Sequence, residues 1–297
     1  MSKQWVKIRF LKMTGAGNDF VLIDNLEQEF NLNWFLSAPV LCNRRYGVGA
    51  DGLLIIEKSS KAAFTMSYFN ADGTYGGMCG NGGRCSANYV MEKLGLDEVR
   101  FEALGYTYEA SRKRDDVKLQ MKDINSIQTN IKVRIGEDEL LVNFVDSGAP
   151  HVVILQDSIP SRIYEKIRNE GIVELGRAMR HHPTFAPDGT NVNFIEPLSK
   201  STISMRTYER GVEDETLACG TGAVASATCF SYLNGASSPI SVQTRSNEVL
   251  KVHFLRENER FKDVVLEGSA KRLFQGSLYY SPIDNQVTDL VHENGLT

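Results

Sequence analysis

Two nine-residue segments decide the fold: CGNGGRCSA at 79–87 and CGTGAVASA at 219–227. Cys, Gly, Gly, Ser and Ala recur at matching places in the two segments, which lie 140 residues apart in a chain of 297. In each copy a glycine follows 16 residues after the cysteine, Gly95 in the first and Gly235 in the second. Each segment therefore predicts a glycine-rich turn, a helix and a glycine stop. Their separation predicts a chain of two related halves.

Short apolar runs on both sides of these segments are typical of strands. They lie at 20–23, 53–56, 64–69, 106–110, 152–155, 191–195 and 203–208. Helical patterns cover 33–45 and 159–168. The alternation predicts an α/β chain, with the boundary between its halves near 121–127.

Composition excludes several classes of protein. Hydrophobic residues make up 42% and charged residues 24%, which is typical of a soluble globular protein. The net charge of -4 offers no basic excess for nucleic acid. The sequence contains no run of 18 apolar residues, so we expect no membrane helix. Charged residues interrupt the N-terminal apolar run, whereas a signal peptide has an uninterrupted apolar core. Five cysteines, an odd number, cannot form a fully paired disulfide framework, so we expect a reducing, cytoplasmic location.

The segment GVGADG at 47–52 matches the dinucleotide-binding pattern G-x-G-x-x-G. That pattern requires a strand before it and a helix after it. Here a helical stretch precedes it and the apolar strand at 53–56 follows, so the order is reversed. We therefore expect no nucleotide site at this loop.

The two matched cysteines, Cys79 and Cys219, each stand at a predicted helix start. The positive end of a helix dipole lowers the pKa of a thiol and favours the thiolate. The glycines that follow allow backbone N–H groups to approach a carboxylate closely. Two such thiols acting on opposite faces of one carbon would form the acid–base pair of a racemase.

Two plainer interpretations remain open. Both cysteines could be buried packing residues, since thiols are among the most buried groups in proteins. A zinc site is a weaker alternative, because neither Cys79 with Cys85 nor Cys219 with Cys229 has the usual ligand spacing. We expect Cys42, Cys85 and Cys229 to pack in the interior.

Further motifs extend the pattern over nearly the whole chain. They are TGAGNDF at 14–20, RYGVGADG at 45–52, FNADG at 69–73, MCGNGGRC at 78–85, APH at 149–151, GTNVN at 189–193, YERG at 208–211 and ETLACGTG at 215–222. With these motifs the chain resembles the diaminopimelate epimerase family, which comprises cofactor-independent epimerases of bacterial lysine and cell-wall synthesis.

The resemblance implies two pseudo-symmetric α/β halves, each a curved, mostly antiparallel sheet around a central helix. The active site would lie in the cleft between them. The first half would comprise 1–122, completed by the final strand at about 272–297, and the second half 123–271. A homodimer is a further implication. The resemblance implies no metal and no cofactor, no nucleic-acid partner and no membrane partner.

The resemblance also assigns roles in the interconversion of LL- and meso-diaminopimelate. Cys79 and Cys219 would be the paired base and acid, and which of them starts as thiolate stays open. Two side chains would assist proton movement, His151 and Glu209. The reacting carboxylate would meet backbone donors of Gly80, Asn81, Gly220 and Thr221. The remaining substrate contacts would come from Asn18, Asn70, Asn191, Glu209 and Arg210.

Some positions depart from the family pattern. Ala149 stands where an asparagine is usual before Pro-His, so one amide contact is lost or replaced, with Ser147 a candidate. Thr14 and Gly52 also differ from common members, and the run 211–216 is one residue longer. These departures affect the expected substrate contacts rather than the two-thiol chemistry.

Two other functions also stay open. One is a proline-type racemase on the same two-cysteine fold, which would need no Glu209–Arg210 clamp for a distal end of the substrate. The other is a thiol-based zinc or redox module without turnover.

Overall fold

The structure is a computed structural model and describes residues 5–288. The helices are α1 (Trp34–Leu41), α2 (Gly80–Leu94), α3 (Ser161–Glu170), α4 (Val173–Arg180) and α5 (Gly220–Asn234). The strands up to residue 120 are β1 (Val6–Gly15), β2 (Asn18–Asn25), β3 (Gly52–Glu57), β4 (Phe64–Asn70), β5 (Glu98–Ala103), β6 (Tyr106–Lys113) and β7 (Asp116–Gln120). The later strands are β8 (Ile127–Ile135), β9 (Asp138–Asp146), β10 (Pro150–Leu155), β11 (Asn191–Ser199), β12 (Thr202–Glu209), β13 (Asp214–Thr216), β14 (Ile240–Gln243), β15 (Val249–Glu257), β16 (Arg260–Ser269), β17 (Lys271–Ser281) and β18 (Gln286–Thr288).

The described chain forms two compact units, residues 5–119 with 269–288 and residues 120–268. In the first unit the strands follow the order β18-β17-β1-β2-β3-β4-β5-β6-β7. In the second unit the order is β8-β9-β10-β11-β12-β14-β15-β16, with β13 also paired to β12.

The two sheets repeat one another pair for pair. From β17 to β7 the pairings run antiparallel, antiparallel, parallel, antiparallel, parallel, antiparallel, antiparallel. From β8 to β16 the same series recurs. The second parallel connection is made through α2 in one unit and through α5 in the other, as parallel strands require a long crossover. The predicted α/β class with two pseudo-symmetric, mostly antiparallel halves is therefore confirmed.

Helices pack on both faces of each sheet, because successive side chains of a strand point to opposite faces. In the first unit, Leu53 and Ile55 of β3 pack with Trp34 of α1, whereas Leu54 lies against the start of α2. In the second unit, Val192 and Phe194 of β11 share a core with residues of α3 and α4. The side chain of Asn193, which lies between these two residues, points to α5.

The central helix α5 carries small or apolar side chains around nearly its whole circumference, which is typical of a helix buried on all sides. Its residues from Ala223 to Ser231 are all buried. In α2 the glycine-rich first half is buried, and the last turn carries exposed side chains. Small residues at the start of both helices let the surrounding strands approach closely, so the sequence repeat marks the place where each sheet wraps its helix.

Candidate active site

Helix α2 begins directly after Cys79, as predicted. Cys79 is the N-cap residue, with extended backbone angles, and its Sγ accepts the N–H of Gly82 over 3.4 Å. Its carbonyl accepts the N–H of Gly83 over 2.7 Å. The helix ends at Gly95, whose φ of 68° is the left-handed conformation that favours glycine.

Helix α5 reproduces this arrangement at Cys219. The Sγ of this N-cap residue accepts the N–H of Gly222 over 3.3 Å, and its carbonyl accepts the N–H of Ala223 over 2.9 Å. Gly235 ends the helix with a φ of 66°. Both helices are 15 residues long, so each predicted turn, helix and stop is confirmed. A thiol acting as N-cap lies where N–H groups favour negative charge.

The five cysteines are present as thiols and fall into two groups. Cys79 is partly exposed, whereas Cys219 is buried, with 6% of its surface exposed. Cys42, Cys85 and Cys229 are also buried, as expected from the sequence, and none of them is the N-cap residue of a helix. Burial raises the pKa of Cys42 and of Cys229 to about 12, so neither forms a thiolate near neutral pH.

In the first unit, the amide of Asn18 is held at both ends. Its Nδ2 donates to Oδ2 of Asp51 over 3.1 Å, and its Oδ1 accepts from Nδ2 of Asn81. Oδ1 of Asn81 in turn accepts from Nη2 of Arg84 over 2.9 Å. A guanidinium can only donate, so the wholly buried Arg84 sets the orientation of both amides. Asn18, Cys79 and Asn81 thus belong to one assembly around the start of α2.

A charged cluster braces the strand end beside Asn18. Asp19 accepts from Nζ of Lys12 over 2.6 Å and from both terminal nitrogens of Arg44 over 2.7 and 3.0 Å. Burial alone would raise the pKa of Asp19, but the hydrogen bonds from Arg44 and Lys12 outweigh burial and lower it to about 2. Asp19 is therefore ionised throughout the neutral range and holds this edge of the site in place.

In the second unit, His151 is wholly buried at the start of β10. Its Nε2 lies 2.9 Å from Oγ1 of Thr221, and its Nδ1 lies 3.0 Å from Nδ2 of Asn193. Burial, with a smaller contribution from the charge of Arg210, lowers the pKa of His151 to about 3. The ring is therefore neutral under physiological conditions.

The neutral His151 predicts a specific loss of stability in acid. The pKa of His151 in the folded protein lies below its value of 6.5 in the unfolded chain. In acid, the unfolded chain therefore binds a proton that the folded protein does not bind. Stability is fully present above pH 6.5 and falls as pH decreases towards 3. Between pH 7.5 and 5.5 we expect the wild type to lose about 1.4 kcal/mol more than His151→Gln, measured by urea unfolding. Identical pH dependence in the two proteins would contradict a buried, neutral histidine.

Gly222 allows the start of α5 to approach β11. A Cβ at this position would lie 2.5 Å from Oδ1 of Asn193 and 3.2 Å from Sγ of Cys219. The alanine variant must therefore displace one of these two groups.

We expect Gly222→Ala to cost about 1–3 kcal/mol of stability and at least roughly tenfold in kcat. Gly235→Ala is the matched control, since it strains a left-handed residue of the same helix with nothing within 4 Å of the new Cβ. It should lower the melting temperature while kcat stays near that of the wild type. Equal kcat in the two variants would argue that the close approach at Gly222 has no bearing on activity.

Glu209 and Arg210 lie at the end of β12. Oε2 of Glu209 accepts from Oγ1 of Thr216 over 2.8 Å. The N–H of Arg210 donates to Oδ1 of Asn191 over 2.9 Å, and Nδ2 of Asn191 donates to the Pro150 carbonyl over 3.0 Å. Asn191 therefore ties the Arg210 turn to the strand that carries His151.

Two other sequence-predicted positions are also hydrogen-bonded, one to a neighbouring residue and one to a distant residue. Asn70, at the end of β4, donates from Nδ2 to Oγ1 of Thr74 over 2.9 Å. Ser147 donates from Oγ to the carbonyl of Thr221 over 2.9 Å, which fixes the first turn of α5. The serine near Ala149 thus holds the helix start that carries Cys219.

Within each unit, the structure brings several predicted residues together. One assembly contains Asn18, Cys79, Gly80 and Asn81, and the other contains His151, Cys219, Gly220 and Thr221. Sequence reasoning missed Arg84, Asp51, Asn193 and Thr207, whose Oγ1 donates to Oδ1 of Asn193 over 2.9 Å. For the last two a signal existed, because each shares a strand face with apolar residues, Asn193 with Ile195 and Thr207 with Ile203 and Met205.

Among residues 5–288, no three His, Cys, Asp or Glu side chains gather closely enough to hold a metal ion. In the same part of the chain, no helix has the length and apolar character needed to cross a membrane.

Comparison with known proteins decides the family. The sequence profile of the diaminopimelate epimerase family matches residues 10–127 and 143–273. The chain belongs to the diaminopimelate epimerase family. A diaminopimelate epimerase of Aquifex aeolicus is 40% identical over 290 residues, which cover 91% of this chain and 98% of that protein. One from Chlorobaculum tepidum is 39% identical over 272 residues, 90% of this chain and 99% of that protein.

Solved structures show the same fold at low sequence identity. A probable proline racemase from Agrobacterium radiobacter has a TM-score of 0.69 at 14% identity, covering 94% of this chain and 96% of its own. A hydroxyproline epimerase from Agrobacterium vitis has a TM-score of 0.65 at 15% identity, covering 95% and 94%. As a member of the diaminopimelate epimerase family, the chain is an isomerase of lysine biosynthesis, from a group that works without pyridoxal phosphate.

Proposed function

We propose that the chain interconverts LL- and meso-diaminopimelate, with Cys79 and Cys219 acting from opposite faces of one α-carbon. One cysteine acts as thiolate and takes the α-proton, and the C–H electron pair stays on the carbon and its carboxylate. The other cysteine, as thiol, delivers a proton to the opposite face. The observation that carries the proposal is the matched pair of thiol-capped helix starts in a chain of this family.

The main chemical difficulty is the weak acidity of the α-hydrogen. Developing negative charge must be stabilised as the proton leaves. The N–H groups at a helix start are not used by the helix itself and favour an anion. The proposal therefore assigns the reacting carboxylate to the backbone donors of Gly80, Asn81, Gly220 and Thr221.

The distal end of diaminopimelate carries a second ammonium and a second carboxylate. Arg210 suits the carboxylate because a guanidinium offers two parallel donors, and Glu209 suits the ammonium. Asn18, Asn70 and Asn191 complete the proposed set, with amide groups that both donate and accept. His151 and Glu209 would assist proton movement beside the thiols.

Substrate choice separates this proposal from proline racemisation, which the similar solved structures raise. We would incubate the protein with LL-diaminopimelate, and separately with L-proline, in D2O and follow the α-proton by NMR. The proposal predicts loss of the α-proton signal for diaminopimelate only. Exchange into proline without exchange into diaminopimelate would reverse the assignment. Stoichiometric zinc with no exchange into either compound would favour a thiol module without turnover.

The location and assembly follow from the same proposal. Both thiols must stay reduced, so we infer a cytoplasmic enzyme. Family resemblance favours a homodimer, and sedimentation of the purified protein would show a species of twice the 33.1 kDa chain mass.

A further inference from the structure

Asn193 is a wholly buried amide on the face of β11 that packs against the start of α5. Its Nδ2 donates to the Val152 carbonyl over 3.0 Å, and its Oδ1 accepts from Oγ1 of Thr207 over 2.9 Å. A backbone carbonyl can only accept a hydrogen bond. Val152 therefore fixes which end of the amide is the nitrogen.

The second hydrogen of this amide decides the tautomer of His151. Nδ2 of Asn193 also lies 3.0 Å from Nδ1 of His151. Because the amide nitrogen donates, Nδ1 must accept, and the single proton of the neutral ring then resides on Nε2. The ring is wholly buried, and its pKa of about 3, lowered by burial and then by Arg210, keeps it neutral.

The Nε2–H tautomer of His151 in turn orients the hydroxyl group of Thr221. Nε2–H of His151 donates to Oγ1 of Thr221 over 2.9 Å. The hydroxyl proton of Thr221 is then available for Sγ of Cys219, which lies 3.5 Å away. Since Sγ also accepts the N–H of Gly222 over 3.3 Å, a thiolate at Cys219 has two donors directed at it.

We propose that Asn193 is a positioning residue that holds the proton of His151 on Nε2, so that the Thr221 hydroxyl donates to Cys219 and stabilises its thiolate. The inference rests on the proposed acid–base role of Cys219. The residue matching Thr221 in the repeat is Asn81, which carries an amide in place of the hydroxyl and contacts Asn18 and Arg84.

The tautomer is measured directly by NMR of the substrate-free protein labelled with 15N-histidine, using two-bond proton–nitrogen correlations and His151→Gln for assignment. We expect His151 to show a protonated Nε2 and an unprotonated Nδ1, unchanged from pH 5.5 to 9. A proton on Nδ1 would overturn the proposal. No substrate is involved, so this outcome is independent of whether the chain epimerises diaminopimelate.

Variants test the rest of the chain of hydrogen bonds. Asn193→Asp should move the proton of His151 to Nδ1, which faces the new carboxylate, and turn the Thr221 hydroxyl away from Cys219. Thr221→Val removes the same donor, together with the acceptor of the His151 Nε2–H, while Asn193 still faces Nδ1. Thr221→Ser retains the hydroxyl. We expect Thr221→Val to lower kcat/KM by roughly 10- to 100-fold, and Thr221→Ser, which restores the hydroxyl, to recover most of that loss.

A thiol readout excludes a merely structural effect. In Thr221→Val, alkylation of Cys219 by iodoacetamide, followed by mass spectrometry, should require a higher pH, while alkylation of Cys79 is unchanged. Thr228→Val, which removes another buried hydroxyl from α5, should leave both profiles unaltered. Equal alkylation profiles for Cys219 in Thr221→Val and the wild type would contradict the proposal even if Asn193→Asp fails to fold.

Discussion

Replacing either Cys79 or Cys219 by alanine should abolish epimerisation while the protein stays folded. Each thiol accepts a weak capping hydrogen bond from a glycine N–H, over 3.4 Å for Cys79 and 3.3 Å for Cys219. The fold therefore loses little, about 0.5–2 kcal/mol for an N-cap. The reaction loses a group that takes or delivers the proton, so we expect kcat to fall by about 10⁴-fold, the upper end for a general acid or base. Conversion of LL- to meso-diaminopimelate, read by chiral chromatography, measures this.

Cys229→Ala is the control for these variants. It removes a buried thiol from the same helix as Cys219, at a position where the thiol serves only packing. Its melting temperature should fall, since a small cavity is left in the core, but its kcat should stay near that of the wild type. Near-normal turnover in Cys79→Ala or Cys219→Ala would end the two-thiol proposal.

Mild oxidation should inactivate the enzyme completely and reversibly. Under the proposal the two thiols act on one carbon, so we expect them to join as a disulfide under oxidation. The other three thiols are buried, and the pKa values of Cys42 and Cys229, raised to about 12 by burial, make them poor nucleophiles. We expect diamide to remove activity and dithiothreitol to restore it.

Peptide mapping identifies the bond behind this loss. The oxidised protein should yield a single disulfide-linked peptide pair containing Cys79 and Cys219. Cys79→Ala, which cannot form this bond, should show no such pair. Full activity after oxidation, or inactivation through a disulfide that involves Cys42, would argue that the two thiols do not face each other.

Local pattern was enough to predict the elements that carry the chemistry. Cysteine followed by glycines and then by a glycine stop predicted both central helices, since capping and left-handed termination depend on neighbouring residues alone. The apolar runs at 53–56 and 152–155 predicted β3 and β10 because buried strands read as continuous apolar segments. The sequence repeat predicted two related halves, and the two units show the same series of parallel and antiparallel strand pairings.

The polar networks could not be predicted, because their members come from distant parts of the chain. Arg84 meets Asn81 within one helix, but the next link, to Asn18, spans 63 residues. His151 meets Thr221 across 70 residues and Asn193 across 42. Such contacts depend on strand register and sheet order, which the sequence pattern leaves open. The roles of Glu209 and Arg210 likewise came from family resemblance rather than from any local rule.

The fate of the α-proton tests the central claim most directly. With LL-diaminopimelate in D2O, stopped at low conversion, two thiols on opposite faces place solvent deuterium in the new meso product while the remaining LL-substrate stays unlabelled. A single base that serves both faces would label substrate and product together, or return the original proton to the product. We predict a product almost fully deuterated at the inverted carbon and a substrate without label. Equal labelling of both epimers from the earliest time would contradict the account.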